Sequence, residues 1–148
     1  MSHLRFNVAT GEWVVVAPER SRRPEEFRQE SRTATHERPA HRHECPFCPG
    51  SEENTPGETL RYHNGKGDWQ VRSFANRFPA LKFVPHPQQS GDAFHRQQDG
   101  HGVHEVLAES RQHNQTLAQQ PVAEVAEVLR AWRERYLKDR LCRVSSTW

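Results

Sequence analysis

The two residues best suited to chemistry stand in the stretch Cys45-Pro46-Phe47-Cys48-Pro49-Gly50. Two cysteines at this spacing let both thiolates reach one tetrahedral metal from a single tight turn. Pro46 pre-sets the backbone of that turn, and Pro49-Gly50 lets the chain leave it sharply. Such a pair supplies only half of what a zinc site needs, because structural zinc takes four protein ligands. A redox dithiol and two ordinary buried cysteines are the alternatives. A redox pair opens a helix in a βαβ setting, and Pro49-Gly50 directly after Cys48 would break such a helix.

Other residues could add to this chemistry. Arg20, Arg22 and Arg23 crowd into Glu19-Arg20-Ser21-Arg22-Arg23-Pro24, just past a strand end. Guanidinium forks match phosphate oxygens two at a time, so this is a possible anion grip, with a solvated basic loop as the plain alternative. Asn76, at another strand end, could hydrogen-bond a ribose or a base; a turn asparagine is the commoner explanation. His113 lies where a third metal ligand would be needed, but ten histidines make one loop histidine weak evidence. His41 and His43 stand close to Cys45 and are expected to be solvated. Cys142 and Pro85-His86-Pro87 are assigned no role.

Elements must position these groups. Glu12 to Ala17 is β-branched and aromatic, and reads as a buried strand after a turn at 7–11. Residues 69–74 alternate large and polar side chains, the pattern of a half-buried strand. Residues 102–110 alternate again, and 111–114 follow as a turn. From Pro121, at the first helical position, Val122, Val125, Ala126, Leu129, Trp132 and Tyr136 recur at steps of three and four. They predict a helix that covers one face of the sheet, with the aromatic stripe as core. Residues 25–44 and 82–101 carry few large apolar residues and read as mobile loops; 51–59 reads as another loop. Residues 140–148 form an atypical tail without period.

Composition narrows the class. At 148 residues with 33% hydrophobic content, the chain is one ordinary domain with a modest core. Its mean hydropathy is -1.01. A net charge of +2 is too balanced for a nucleic-acid wrapper. No apolar run suits a membrane span or signal peptide, so a cytoplasmic protein is expected. Three cysteines, two of them in a metal-type motif, argue against a disulfide framework.

Taken in order, RFNVATGEWVVVAPERSRRP, CPFCPG, WQVRSFANRFPAL, GVHEVLAESRQHNQTL and the amphipathic helix resemble the N-terminal half of the galactose-1-phosphate uridylyltransferase family. The resemblance spans roughly residues 5–136. It implies an α+β fold, a histidine-triad-like antiparallel sheet carrying a packed helix, here incomplete at its C-terminal end. It implies zinc at Cys45, Cys48 and His113, phosphate contacts from Arg20 and Arg23 (across a dimer in some members), and nucleotide contact from Asn76. Arg77 stands where some members are acidic, which leaves base and sugar preference open. The partners implied are UDP-glucose and a hexose 1-phosphate, with a homodimer possible.

The activity implied proceeds in two displacements. A histidine attacks the α-phosphorus of UDP-glucose, holds UMP covalently and passes it to galactose 1-phosphate. The family carries that histidine in a His-Pro-His segment beyond the helix, with a fourth zinc ligand just before it. These 148 residues contain no such segment. The chain is therefore expected to be a truncated or frame-shifted member, without a catalytic residue and inactive alone. The alternatives are a non-enzymatic zinc-stabilised module for a nucleotide or a protein, and a fragment of an ADP-sugar adenylyltransferase or phosphorylase relative.

Overall fold

The computed structural model describes residues 2–22 and 38–144. Arg23 and most of the 25–44 loop lie outside the described residues. The strands form two antiparallel sheets with one long C-terminal helix, an α+β architecture in two compact units. No helix among the described residues is long and apolar enough to cross a membrane.

The first unit, Met1–Glu30 with Phe78–His104, is a four-stranded sheet. It contains β1 (His3–Asn7), β2 (Glu12–Val16), β5 (Gln89–Ser90) and β6 (Gln97–Asp99), in the order β2-β1-β6-β5. A turn closed by the Gly11 N–H on the Asn7 carbonyl (2.8 Å) joins β1 to β2 in the register Arg5↔Val14. β2 is not the buried strand its sequence suggests: Val14 is 49% and Val15 42% exposed, because β2 is an edge strand. Residues 82–101, expected as an excursion, carry two strands of this sheet, and β6 pairs with β1 through Leu4↔Gln98. Gly100 is required there for close approach: its N–H reaches the Ser2 carbonyl at 3.0 Å, and a Cβ would stand 2.7 Å from that oxygen.

The second unit, Ser31–Arg77 with Glu105–Trp148, contains β3 (Glu58–His63), β4 (Trp69–Ala75) and β7 (Glu105–Ala108) in the order β3-β4-β7. α1 (Val122–Val144) packs on β3 and β4. β3 begins inside the stretch expected to be loop, and Asn64 turns it into β4 by accepting the amides of Lys66 and Asp68 on its Oδ1. β4 is central, and it is buried rather than half-buried. Val71 packs with Val128 and Ala131 of α1 on one face. On the other, Phe74 stacks on Phe47 at 5.8 Å.

Arg72, a polar residue of the alternating pattern, has no exposed surface. Its Nη1 donates to Glu58 at 2.8 Å, and its guanidinium lies 5.0 Å from the Trp69 ring and 5.2 Å from that of Phe74. A carboxylate and two π-faces offset part of its lost hydration, while its Nε and Nη2 have no hydrogen-bond partner among the described residues. Arg61 foremost, and then Arg72, hold the Glu58 carboxyl below its ordinary value against the effect of burial.

α1 also departs from the sequence reading. Pro121 precedes the helix, its carbonyl accepting from Glu124 and Val125, and the helix runs on through residues expected as tail. The side chains that meet the sheet are Val128 and Ala131, both fully buried. Leu129 (51%), Trp132 (45%) and Tyr136 (63%), expected as core, are exposed. A small residue such as Ala131 lets a helix approach a sheet closely, so the line containing it won the contact over the aromatic one.

Candidate metal centre

The Cys45 turn is built by its own backbone. The Cys48 amide donates to the Cys45 carbonyl at 3.3 Å and the Ser51 amide to that of Cys48 at 3.2 Å, so successive tight turns fold both side chains inward. Gly50, at φ +87, takes the left-handed conformation that lets the chain leave the turn, and its amide is held by the Glu52 carboxylate at 2.8 Å. The same carboxylate accepts the Trp69 indole N–H at 2.7 Å, which ties the turn to the central strand.

The loop after β7 brings His113 to this turn. Its amide donates to the Ala40 carbonyl at 2.8 Å, so the segment before the cysteines and the loop after β7 are held side by side. Arg111 anchors the loop by an ion pair with Asp68 at 2.6 Å. One ligand atom from each of Cys45, Cys48 and His113 lies within 4.8 Å of the others, although His113 is distant in sequence. Cys48 Sγ stands 3.6 Å from His113 Nδ1. A tetrahedral zinc with one sulfur and one imidazole ligand sets that edge at roughly 3.6 Å. Two soft sulfurs and an imidazole nitrogen at this separation fit a metal ion.

The electrostatics agree with a site that opens by losing protons. Burial pushes the Cys48 thiol above its ordinary value, and the Cys45 thiol beside it adds to the shift. A bound cation would displace these protons and remove the cost of burying the sulfur. The His41 ring N–H donates to the Pro49 carbonyl at 3.0 Å, so this histidine braces the turn from outside. The sequence missed Phe47, whose stacking on Phe74 fixes the turn against the sheet; its place inside the cysteine motif was the available signal.

The residues expected to contact phosphate and nucleotide fall in both units. Arg20 lies half-buried in the first unit, in the 3-10 turn Pro18–Arg22, its amide bonded to the Ala17 carbonyl at 3.0 Å. Asn76 is half-buried in the second unit, directly after β4.

A family profile described as "Galactose-1-phosphate uridyl transferase, N-terminal domain" matches residues 1–146. The chain belongs to that family. Among curated proteins it is similar to ADP-glucose phosphorylase of Arabidopsis thaliana, 30% identical over 134 residues, covering 89% of this chain and 37% of the relative. Galactose-1-phosphate uridylyltransferase of Haemophilus influenzae is 29% identical, over 89% of this chain and 36% of its own length. The Thermotoga maritima enzyme of the same name is 30% identical, over 91% and 35%. The chain thus spans little more than a third of these relatives.

Solved structures agree on the fold. A uridylyltransferase structure superposes with a TM-score of 0.56 at 23% identity, covering 93% of this chain and 35% of that one. The Arabidopsis thaliana ADP-glucose phosphorylase with bound ADP-glucose gives 0.50 at 24%, covering 93% and 38%.

Proposed function

We propose that this chain is the metal-stabilised, nucleotide-sugar-binding part of a hexose-1-phosphate nucleotidylyltransferase of the uridylyltransferase type. The observation that carries the reading is the convergence of Cys45, Cys48 and His113 in a member of this family. Zinc is the ion that two thiolates and an imidazole favour. Bound there, it supplies a redox-inert cross-link between the Cys45 turn and the loop after β7. Arg20 and Arg23 grip the phosphates of UDP-glucose and the hexose 1-phosphate, and Asn76 orients the nucleoside. No His-Pro-His segment stands in these 148 residues. The isolated chain therefore binds nucleotide sugar without transferring the nucleotidyl group.

Titration of the purified chain with UDP-glucose tests this. Arg20→Ala and Arg23→Ala each weaken binding roughly tenfold, the loss expected for a charge-assisted phosphate contact. Binding unchanged in both variants, or UMP transfer by the pure chain, would sink the proposal. The similarity to a plant ADP-glucose phosphorylase favours a second reading, in which the base is adenine. Tighter binding of ADP-glucose than of UDP-glucose selects it.

A further inference from the structure

The backbone that shapes the Cys45 turn is only loosely closed. The amides of Cys45, Cys48 and Ser51 reach the carbonyls of Arg42, Cys45 and Cys48 at 3.2, 3.3 and 3.2 Å, the long end for such bonds. Glu52 makes the short contacts. Its Oε2 accepts the Gly50 amide at 2.8 Å, and its Oε1 accepts the Trp69 indole N–H at 2.7 Å. Both bonds are charge-assisted, roughly twice as strong as a neutral pair. Partial burial alone would raise the Glu52 carboxyl, but its own amide, the Trp69 indole and the Gly50 amide hold it below its ordinary value. The base of this contact is itself fixed, since the Glu52 carbonyl accepts the Thr55 hydroxyl at 2.7 Å.

Trp69, at the other end of the contact, is a fixed post. It is buried at the start of β4, and the guanidinium of the buried Arg72 lies 5.0 Å from its ring. The guanidinium of Arg111 lies 5.9 Å from the same ring, and its ion pair with Asp68 at 2.6 Å holds it beside the residue before Trp69. Arg111 belongs to the loop that carries His113. The indole N–H thus serves the arm with Cys45 and Cys48, and the indole ring serves the arm with His113. One side chain of the central strand meets both arms of the candidate metal centre, although it can ligate nothing itself.

We infer that Glu52 and Trp69 are positioning residues, a strut and its post, which hold Cys45, Cys48 and His113 at ligating separation before any metal binds. The inference rests on the metal reading proposed above and deepens it. Without the strut, the left-handed exit at Gly50 and the long backbone bonds leave the turn free to open. Closing it again then opposes metal binding, because ordering a segment costs conformational entropy that a preorganised site has already lost. A residue that only stabilised the fold would act on the metal-free and metal-bound forms alike and leave the affinity as it was.

Two measurements on the full chain test this: zinc affinity, by competition with a chromophoric chelator, and amide exchange at Cys45, Cys48 and Ser51 in the zinc-free state. Glu52→Ala is expected to weaken zinc binding roughly tenfold and to speed that exchange. Trp69→Phe keeps a buried ring and removes only the indole donor, so it should lose roughly threefold. The double variant should bind no more weakly than Glu52→Ala alone, because both changes cut one strut. Glu53→Gln removes a charge at the next, exposed position and should stay within about twofold. Circular dichroism equal to the parent's shows that the variants fold. Zinc affinity unchanged in Glu52→Ala, unchanged zinc-free exchange, additive losses in the double variant, or an equal loss in Glu53→Gln each overturn the inference and leave the metal reading standing. A parent chain that takes up no zinc overturns both.

Discussion

Every fully covered large apolar side chain among the described residues, from Trp69 and Val71 to Phe74 and Val128, belongs to the second unit. In the first unit, Phe78, Phe83 and Phe94 are 61%, 68% and 71% exposed. That unit is held by its ladder and by Arg96, whose guanidinium sits 4.6 Å from the Phe6 ring and 5.4 Å from that of Trp13. One chain thus uses two kinds of cohesion: apolar burial beside a prospective metal cross-link, and backbone pairing capped by a surface cation. The first resists local opening far better, because opening it exposes apolar area and a buried cation together.

The contrast is sharpest at the cysteines. Cys48→Ser is expected to reduce zinc from about one ion per chain to near none and to cost several kcal/mol in the second unit. Metal analysis and amide exchange read both effects, and protection of β1 and β6 should stay as it was. If β1 and β6 lose protection equally, the two units do not unfold separately and the contrast fails. Next in size is Phe74→Ala, expected to cost about 3–5 kcal/mol in denaturant unfolding. Phe83→Ala, the same change in the exposed setting, should stay within about 0.5 kcal/mol.

Acid acts on two partly buried carboxylates of the second unit. Burial alone would raise Glu105, but hydrogen bonds from Arg135 and Ser73 overcome it and hold the carboxyl below its ordinary value. Glu58 is lowered as well, chiefly by Arg61. A group with a depressed folded pKa takes up its proton first in the unfolded chain. Its contribution is therefore present above the unfolded value of about 4.3 and is lost as pH falls through the folded one. The second unit should lose stability below about pH 4.3, and Glu105→Gln should cost about 1–3 kcal/mol at neutral pH while flattening that decline. Arg96→Ala is expected to cost about 0.5–1 kcal/mol and only in the first unit.

How much of this was legible depended on which force builds each part. β2, β4, β7 and the helix carry β-branched or three-to-four-residue patterns and were readable as elements. The trio Cys45, Cys48 and His113 was readable from the family landmarks; the cysteines alone left dithiol and core readings open. β5 and β6 were hidden, since Gln89, Ser90, Gln97 and Gln98 carry no apolar period and become strands only by pairing in the sheet around β1. β3 had a usable signal in the Asn64-Gly65 turn ahead of β4. The facing of α1 was unreadable for another reason: two apolar lines compete, and only the packed sheet shows that Val128 and Ala131 prevail.

β4 and β7 are neighbours in register Ala75↔Glu105, although residues 76–104 separate them in sequence. Two antiparallel strands so placed need no more than a tight hairpin between them. The intervening stretch, most of it belonging to the first unit, is topologically an insertion into an existing hairpin. Such a junction tolerates added length, because lengthening a loop between fixed ends costs only the logarithm of its length. Added residues at this junction leave the register of the central ladder fixed.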